Sequence, residues 1–306
     1  MKKQLLFSGL MGLAIISCGN TKKTSDVKNE SKDSIATEQT SSNTNGKIDP
    51  FKDFPKDVIT ANPGDFILTP SKNWQEDATT KGADKVTFIF YSQTIAQVGA
   101  EYSKIDFMSD KEVEIPNYMI IPIKSGQTAK KGDIVLTWWQ SGSGMKRAIV
   151  VDDKNPAEPI VNYIDISWDN PAKNDKGVGI GQMTEQLKPN SFHVISAEWE
   201  SGTTVAVKEG SDFKAATVVK VSGDKVLTIG FGGTMKVYGK GDCSPVVVKP
   251  NVKVGDMVQA PWVGTYKNLK VEKVDAKMGR VWVDDPYSDK PMVVAFGDIT
   301  SGLAIK

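Results

Sequence analysis

The chain has one histidine, His193, and two cysteines, Cys18 and Cys243, so nucleophilic or general-base chemistry rests on very few side chains. A histidine serves as a base only within hydrogen-bond reach of the group it deprotonates, with a third group orienting its ring. The pairing open to this sequence is a hydrolase in which Cys243, in Gly241-Asp-Cys-Ser-Pro245, is the thiol nucleophile and His193 its base. Neither has a context made for that work. Ser191-Phe192-His193-Val194 reads as a strand edge without a nucleophile elbow, and a free cysteine at a turn is more commonly a small buried hydrophobe. No Cys or His pair has ligand spacing, and Asp169 to Gly177 scatters acidic and amide groups without the order of a Ca²⁺ loop, so no metal is expected. Asp152-Asp153 and Asp284-Asp285 suit strand ends, where their carboxylates close turns. Gly230 to Gly233 stands in a β context as a bulge or turn, and no glycine-rich loop opens a helix, so no cofactor is expected either. These residues point away from an enzyme.

The bulk composition agrees with a binding or structural role. In 306 residues, 39% hydrophobic and 25% charged is ordinary globular composition with enough apolar residues to bury a core. Lys plus Arg at 38 against Asp plus Glu at 37 leaves a net charge of +1, which provides no field to draw in nucleic acid. Two cysteines cannot make a disulfide framework.

The N-terminus explains Cys18. Met1-Lys2-Lys3 is a short cationic start, Leu5 to Ile16 an apolar run, and Ser17-Cys18-Gly19 a small-residue close. That is the layout of a secretory signal, too short for a stable spanning helix. Ala14-Ile-Ile-Ser-Cys18 resembles the lipobox of bacterial lipoproteins, with Ile15 and Ser17 in its aliphatic and small places. The resemblance implies a signal peptide over 1–17 and a mature N-terminus at Cys18 carrying acyl chains that hold the protein on a bilayer. An ordinary signal peptide with Cys18 incidental is the plainer alternative. Gly19 is not the aspartate that retains many such lipoproteins at the inner membrane, which leans the expectation to the bacterial outer membrane and leaves display at the cell surface open. From Gly19 to about Gly46 almost no aliphatic or aromatic residue appears. Such a segment cannot repay its ordering entropy by burial, so 18–57 is expected to be a disordered tether.

Beyond Val58 the pattern is β almost throughout. Lys85 to Tyr91, Ala148 to Val151, Ile160 to Ile164, Val218 to Val221, Lys225 to Ile229, Arg280 to Val283 and Met292 to Phe296 are short β-branched or aromatic runs bounded by turn residues. Only short pieces such as Thr94 to Ala100 and Gly181 to Leu187 suit a helix. A glycine turn followed by an alternating strand recurs as Pro63-Gly-Asp-Phe-Ile-Leu68, Lys131-Gly-Asp-Ile-Val135 and Val254-Gly-Asp-Met-Val258, with Gly202-Thr203 as a looser copy. The starts at Gly64, Gly132, Gly202 and Gly255 lie 68, 70 and 53 residues apart, a period that suits one small barrel each. The expected domains are 58–124, 125–196, 197–250 and 251–306. A competing register aligns Val151-Asp-Asp153 with Val283-Asp-Asp285, each leading on to Asp165-Ile166-Ser167 or Asp298-Ile299-Thr300.

Gly-Asp, an apolar strand, tryptophan, a short turn, a strand ending in Val-Asp and then Val-x-aromatic-x-Asp resembles the Tudor and Agenet branch of SH3-like barrels, best over about 130 to 168 and 253 to 306. The resemblance implies an all-β array of tandem small SH3-like barrels after the tether. It also offers an aromatic cage, which holds a cation through π contacts, with Trp138, Trp139, Tyr163, Trp262 and Tyr266 as ligand-binding candidates. Packing within or between barrels is the commoner use of such rings. The function expected is a lipid-anchored, non-catalytic envelope protein binding protein or glycan partners. The alternatives are the Cys243 and His193 hydrolase and a purely structural envelope protein.

Overall fold

The computed structural model describes residues 46–166 and 182–305, and Gly46–Lys306 forms one compact unit. The leader, Cys18, the tether as far as Asn45, and the stretch from Asp169 to Gly177 lie outside the described residues. The folded part begins earlier than expected, because Ile48 and Phe54 are buried in the core.

The fold is all-β, built of antiparallel strands. β1 (Phe66–Pro70), β2 (Phe90–Gln97), β3 (Tyr102–Asp106), β4 (Val113–Pro116) and β5 (Ile121–Pro122) form a sheet in the order β4-β3-β2-β1-β5. β6 (Ile134–Trp138), β7 (Met145–Asp152), β8 (Ile160–Tyr163), β9 (Thr184–Gln186) and β10 (His193–Ile195) repeat that order as β9-β8-β7-β6-β10. So do β11 (Thr204–Glu209), β12 (Asp212–Ser222), β13 (Lys225–Gly230), β14 (Met235–Gly239) and β15 (Cys243–Pro245). β16 (Met257–Trp262), β17 (Thr265–Asp275), β18 (Arg280–Asp285) and β19 (Ser288–Ala295) give it a fourth time, with Thr300 bridged to Gln259 of β16 where a fifth strand would lie. Each group is a four-strand meander whose chain returns beside its first strand.

The turn opening each group is the same. Gly64, Gly132, Gly202 and Gly255 have φ of 90°, 88°, 89° and 91°, a region that L side chains rarely enter. Their amides donate to the carbonyls of Ile95, Val150, Val218 and Val271, each at 2.8 Å. Just beyond each of those residues the pairing slips, between Ile95 and Gln97, Val150 and Asp152, Val218 and Lys220, and Val271 and Lys273. Such a bulge bends a strand so that it can serve two sheet directions. The Asp65, Asp133 and Asp256 carboxylates accept from the amides of Asn62, Lys130 and Lys253 at 2.7, 2.8 and 2.9 Å. Thr203, in the aspartate's place, donates its hydroxyl to the Glu200 carbonyl at 2.7 Å. Turn and bulge follow the Gly-Asp spacing. The Val-Asp-Asp doublets are not equivalent: one ends the second strand of its group and the other a third strand.

Two expectations need correction. The one α-helix among the described residues, α1 (Lys72–Lys81), lies between β1 and β2, whereas Thr94 to Gln97 belongs to β2 and Thr184–Gln186 is β9. The helix buries only Gln75 and Ala78, too narrow an apolar stripe to stand out in sequence. The interiors are also not separate. No sheet closes into a barrel among the described residues, and β12 and β17 pair at Lys214 and Thr265, joining the third and fourth groups in one sheet. One core cluster takes residues from all four groups, while smaller ones lie around Val135 and Tyr163 and around Val205 and Cys243. Strand alternation explains this division. In β6, Ile134, Leu136 and Trp138 face the shared core and Val135 faces its own group, so both faces are buried.

Candidate functional site

His193 lies on the edge strand β10, with Nε2 3.0 Å from Glu200 Oε2 and Nδ1 3.2 Å from Gln127 Nε2, so both ring nitrogens are engaged in bracing that edge. Burial pushes the Glu200 carboxyl up, but hydrogen bonds from Ser196 and His193 outweigh it and hold the group below its ordinary range. Cys243 is buried among Val205, Val207 and Val226, and burial pushes its thiol up to about 11. Both features oppose a thiolate–imidazole pair. In a chain carrying Cys18→Ser, alkylation by iodoacetamide at pH 8 is expected to run about 100-fold slower in the folded protein than in urea. Comparable rates would show an accessible, ionisable thiol.

The five aromatic candidates divide by strand parity. Trp138 is buried against Phe66, with ring centroids 5.1 Å apart, on the face of β6 opposite Tyr163. Tyr163 is fully buried, its hydroxyl held by Glu185 and by the Gln140 amide at 3.1 Å. Trp139 packs beside that cluster and donates Nε1–H to the Gln182 carbonyl at 2.8 Å. Register places Tyr266 opposite Pro261, hence on the other face of the hairpin from Trp262. Tyr266 is buried, and Trp262 packs instead on the exposed Tyr287, centroids 4.5 Å apart. The aspartate doublets behave as turn closers: Asp152 accepts from the Lys154 amide at 2.9 Å, and Asp285 from the Tyr287 amide at 2.9 Å.

The polar group that ties the structure together is one the sequence does not single out. Arg147, on β7, is buried on the face shared between groups. Its Nη2 donates to Asp165 at 2.7 Å and to Asp298 at 2.9 Å, its Nε to Asp165 at 3.1 Å and its Nη1 to Thr204 Oγ1 at 3.2 Å. Thr204 donates its hydroxyl to Asp298 at 2.6 Å. Second, third and fourth groups therefore meet at one guanidinium. Burial pushes the Asp165 carboxyl up, but the charge and hydrogen bonds of Arg147 outweigh it and hold the group below the usual carboxylate range.

A cleft of about 520 Å³ opens against this network. Small residues, including Gly202, Ala215, Ala216 and Gly230, share its lining with larger ones such as Leu136 and Met145, and Phe231 and Val263, which also line it, are 68% and 59% exposed. A second hollow of about 240 Å³ continues beyond the same pair toward Glu209, Lys214, Lys236 and Tyr238. Phe231 is held out by Gly230-Phe-Gly-Gly233, whose last carbonyl accepts from the Phe88 amide at 2.8 Å. Val263 and Gly264 form the two-residue turn between β16 and β17, with φ of 47° and 75°. The Gly264 carbonyl accepts from the Ala215 amide at 2.9 Å, which docks the turn on β12. Asn or Asp is the usual residue at the first place of such a turn, and a β-branched side chain there is a true backbone outlier costing about 1–3 kcal/mol. Valine before Gly264 was the available sequence signal for this site; the exposure of Phe231 had none. The chain matches no protein-family model and no curated protein.

Proposed function

We propose that this protein is a non-catalytic, lipid-anchored component of the bacterial outer membrane, built of four SH3-like units of the Tudor kind, and that the cleft beneath Phe231 and Val263 receives its partner. Support for the units comes from the recurrence of strand order, opening turn and bulge. The lipobox-like Ala14 to Cys18 supports the anchor. The observation that carries the binding assignment is Val263, a strained and exposed apolar residue set beside exposed Phe231 over a preformed cleft. Strain of that kind persists where it is part of a working site, and exposed apolar surface next to a concavity is where contact energy concentrates.

The test is uptake of labelled protein and polysaccharide fractions of bacterial envelope by vesicles carrying the full chain, read by co-flotation. Saturable uptake of at least one fraction is expected, with a loss of about tenfold or more in the Phe231→Ser, Val263→Asn double variant, since apolar anchors at such sites each contribute 1 kcal/mol or more. Val263→Asn alone should raise unfolding stability by about 1 kcal/mol while weakening uptake, the trade-off of a strained site. Uptake that is absent, or indifferent to the double variant, would remove this reading.

A further inference from the structure

We infer that the occupant of the cleft is a neutral oligosaccharide, an inference resting on the reading of the cleft as a binding site. Its charges cancel. Arg147 and Lys146 stand against Asp165 and Asp298, so the cleft itself has neither sign left over for an ionic ligand; in the hollow beyond it Lys236 pairs with Glu209 at 3.0 Å, and Lys214 with Asp212, outside the lining, at 3.5 Å.

What remains is hydrogen-bonding capacity around a ring. The Asp165 and Asp298 side chains keep 26% and 21% of their surface; Arg147 makes two contacts to each oxygen of Asp165, while Asp298 Oδ2 takes one hydrogen bond and keeps an acceptor site. Lys146 and Thr217 line the same cleft. Sugar hydroxyls donate to carboxylates and accept from amines within the plane of the ring, while the C–H face of the ring, slightly positive, packs on the negative face of an aromatic side chain. Phe231 supplies that face, and the glycine and alanine residues of the lining leave room beside it for a flat ring.

A peptide fits less well. Strand β12, which lines the cleft with Ala215 to Thr217, is already paired with β11 on one side and β13 on the other, and the Ala215 amide is given to Gly264. An added strand would find no main-chain groups to join, so recognition falls to side chains, as sugars require.

Calorimetric titration of the full chain in detergent with maltohexaose, cellohexaose, laminarihexaose and chitohexaose is the test. At least one is expected to bind with a millimolar or tighter Kd, weakened about tenfold or more by Phe231→Ala, whose exposed position leaves the fold intact. Thr217→Val should weaken it by a smaller factor. Silence from all four sugars, or binding that Phe231→Ala leaves unchanged, overturns the inference. So does tighter binding of a hexamer of galacturonate, which would show an ionic site. If the sugars are silent while vesicles still take up an envelope protein fraction in a Phe231-dependent way, the oligosaccharide assignment falls and the binding cleft stands. If neither occurs, both fall.

Discussion

Replacing Arg147 by methionine is expected to cost roughly 2–4 kcal/mol of unfolding free energy at pH 7, somewhat under the about 3–5 kcal/mol of a fully buried pair because Asp165 and Asp298 keep 26% and 21% of their side-chain surface in water. Methionine keeps most of the side chain's length and fills the same space, so the loss reports charge and hydrogen bonds more than volume. The pH dependence should also change. In the native chain Arg147 holds the Asp165 carboxyl below its unfolded value, so its contribution is complete above about pH 4 and is lost as acid protonates the group. Without the guanidinium, burial is opposed only by the main-chain amide of residue 147, 2.7 Å from Asp165 Oδ2, and by Lys146, so the folded value of Asp165 rises from its native level. The variant should then gain stability relative to wild type as pH falls from 7 toward 4.5. Urea unfolding at both pH values, followed by tryptophan emission, measures each part. A loss below about 1 kcal/mol, or parallel pH profiles, would mean that water replaces the guanidinium at little cost.

The second large effect separates two glycines that look alike in sequence. Gly132 and Gly202 have φ of 88° and 89°, so an alanine at either pays for a left-handed backbone, about 1–2 kcal/mol. At Gly132 a new Cβ meets nothing within 4 Å, but at Gly202 it comes within 2.6 Å of a Leu136 methyl. Leu136 is only 1% exposed and packs in the shared core, so it has little room to yield. Gly202→Ala should therefore cost about 1–3 kcal/mol more than Gly132→Ala, the usual penalty of overpacking. Equal losses in denaturant titrations would show that Leu136 moves freely and that the second and third groups are not tightly fitted there.

Legibility differed by the range of the interaction. The starts at Gly64, Gly132, Gly202 and Gly255 were readable because a positive φ demands glycine and the Asp beside it closes the turn locally. All-β content was readable because period-two alternation is a property of each strand alone. The helix Lys72–Lys81 escaped notice since tertiary contacts at Gln75 and Ala78 support it, with scarcely any apolar period of its own. The aromatic cage that the resemblance offered set Trp138 or Trp139 with Tyr163 and Trp262 with Tyr266; strand parity puts Trp138 and Trp262 on the face away from those tyrosines, and Trp139 only packs beside a fully buried Tyr163.

What this sequence determined by itself was local: turns, strands and their recurring order of use. Only the tertiary structure decided that the groups share a core, that Arg147 joins Asp165, Thr204 and Asp298 across 151 positions of chain, and that Phe231 and Val263 meet over one cleft. The physical reason is that backbone conformation is written in neighbouring residues, whereas burial of a charge or exposure of a ring depends on which distant surfaces exclude water from it.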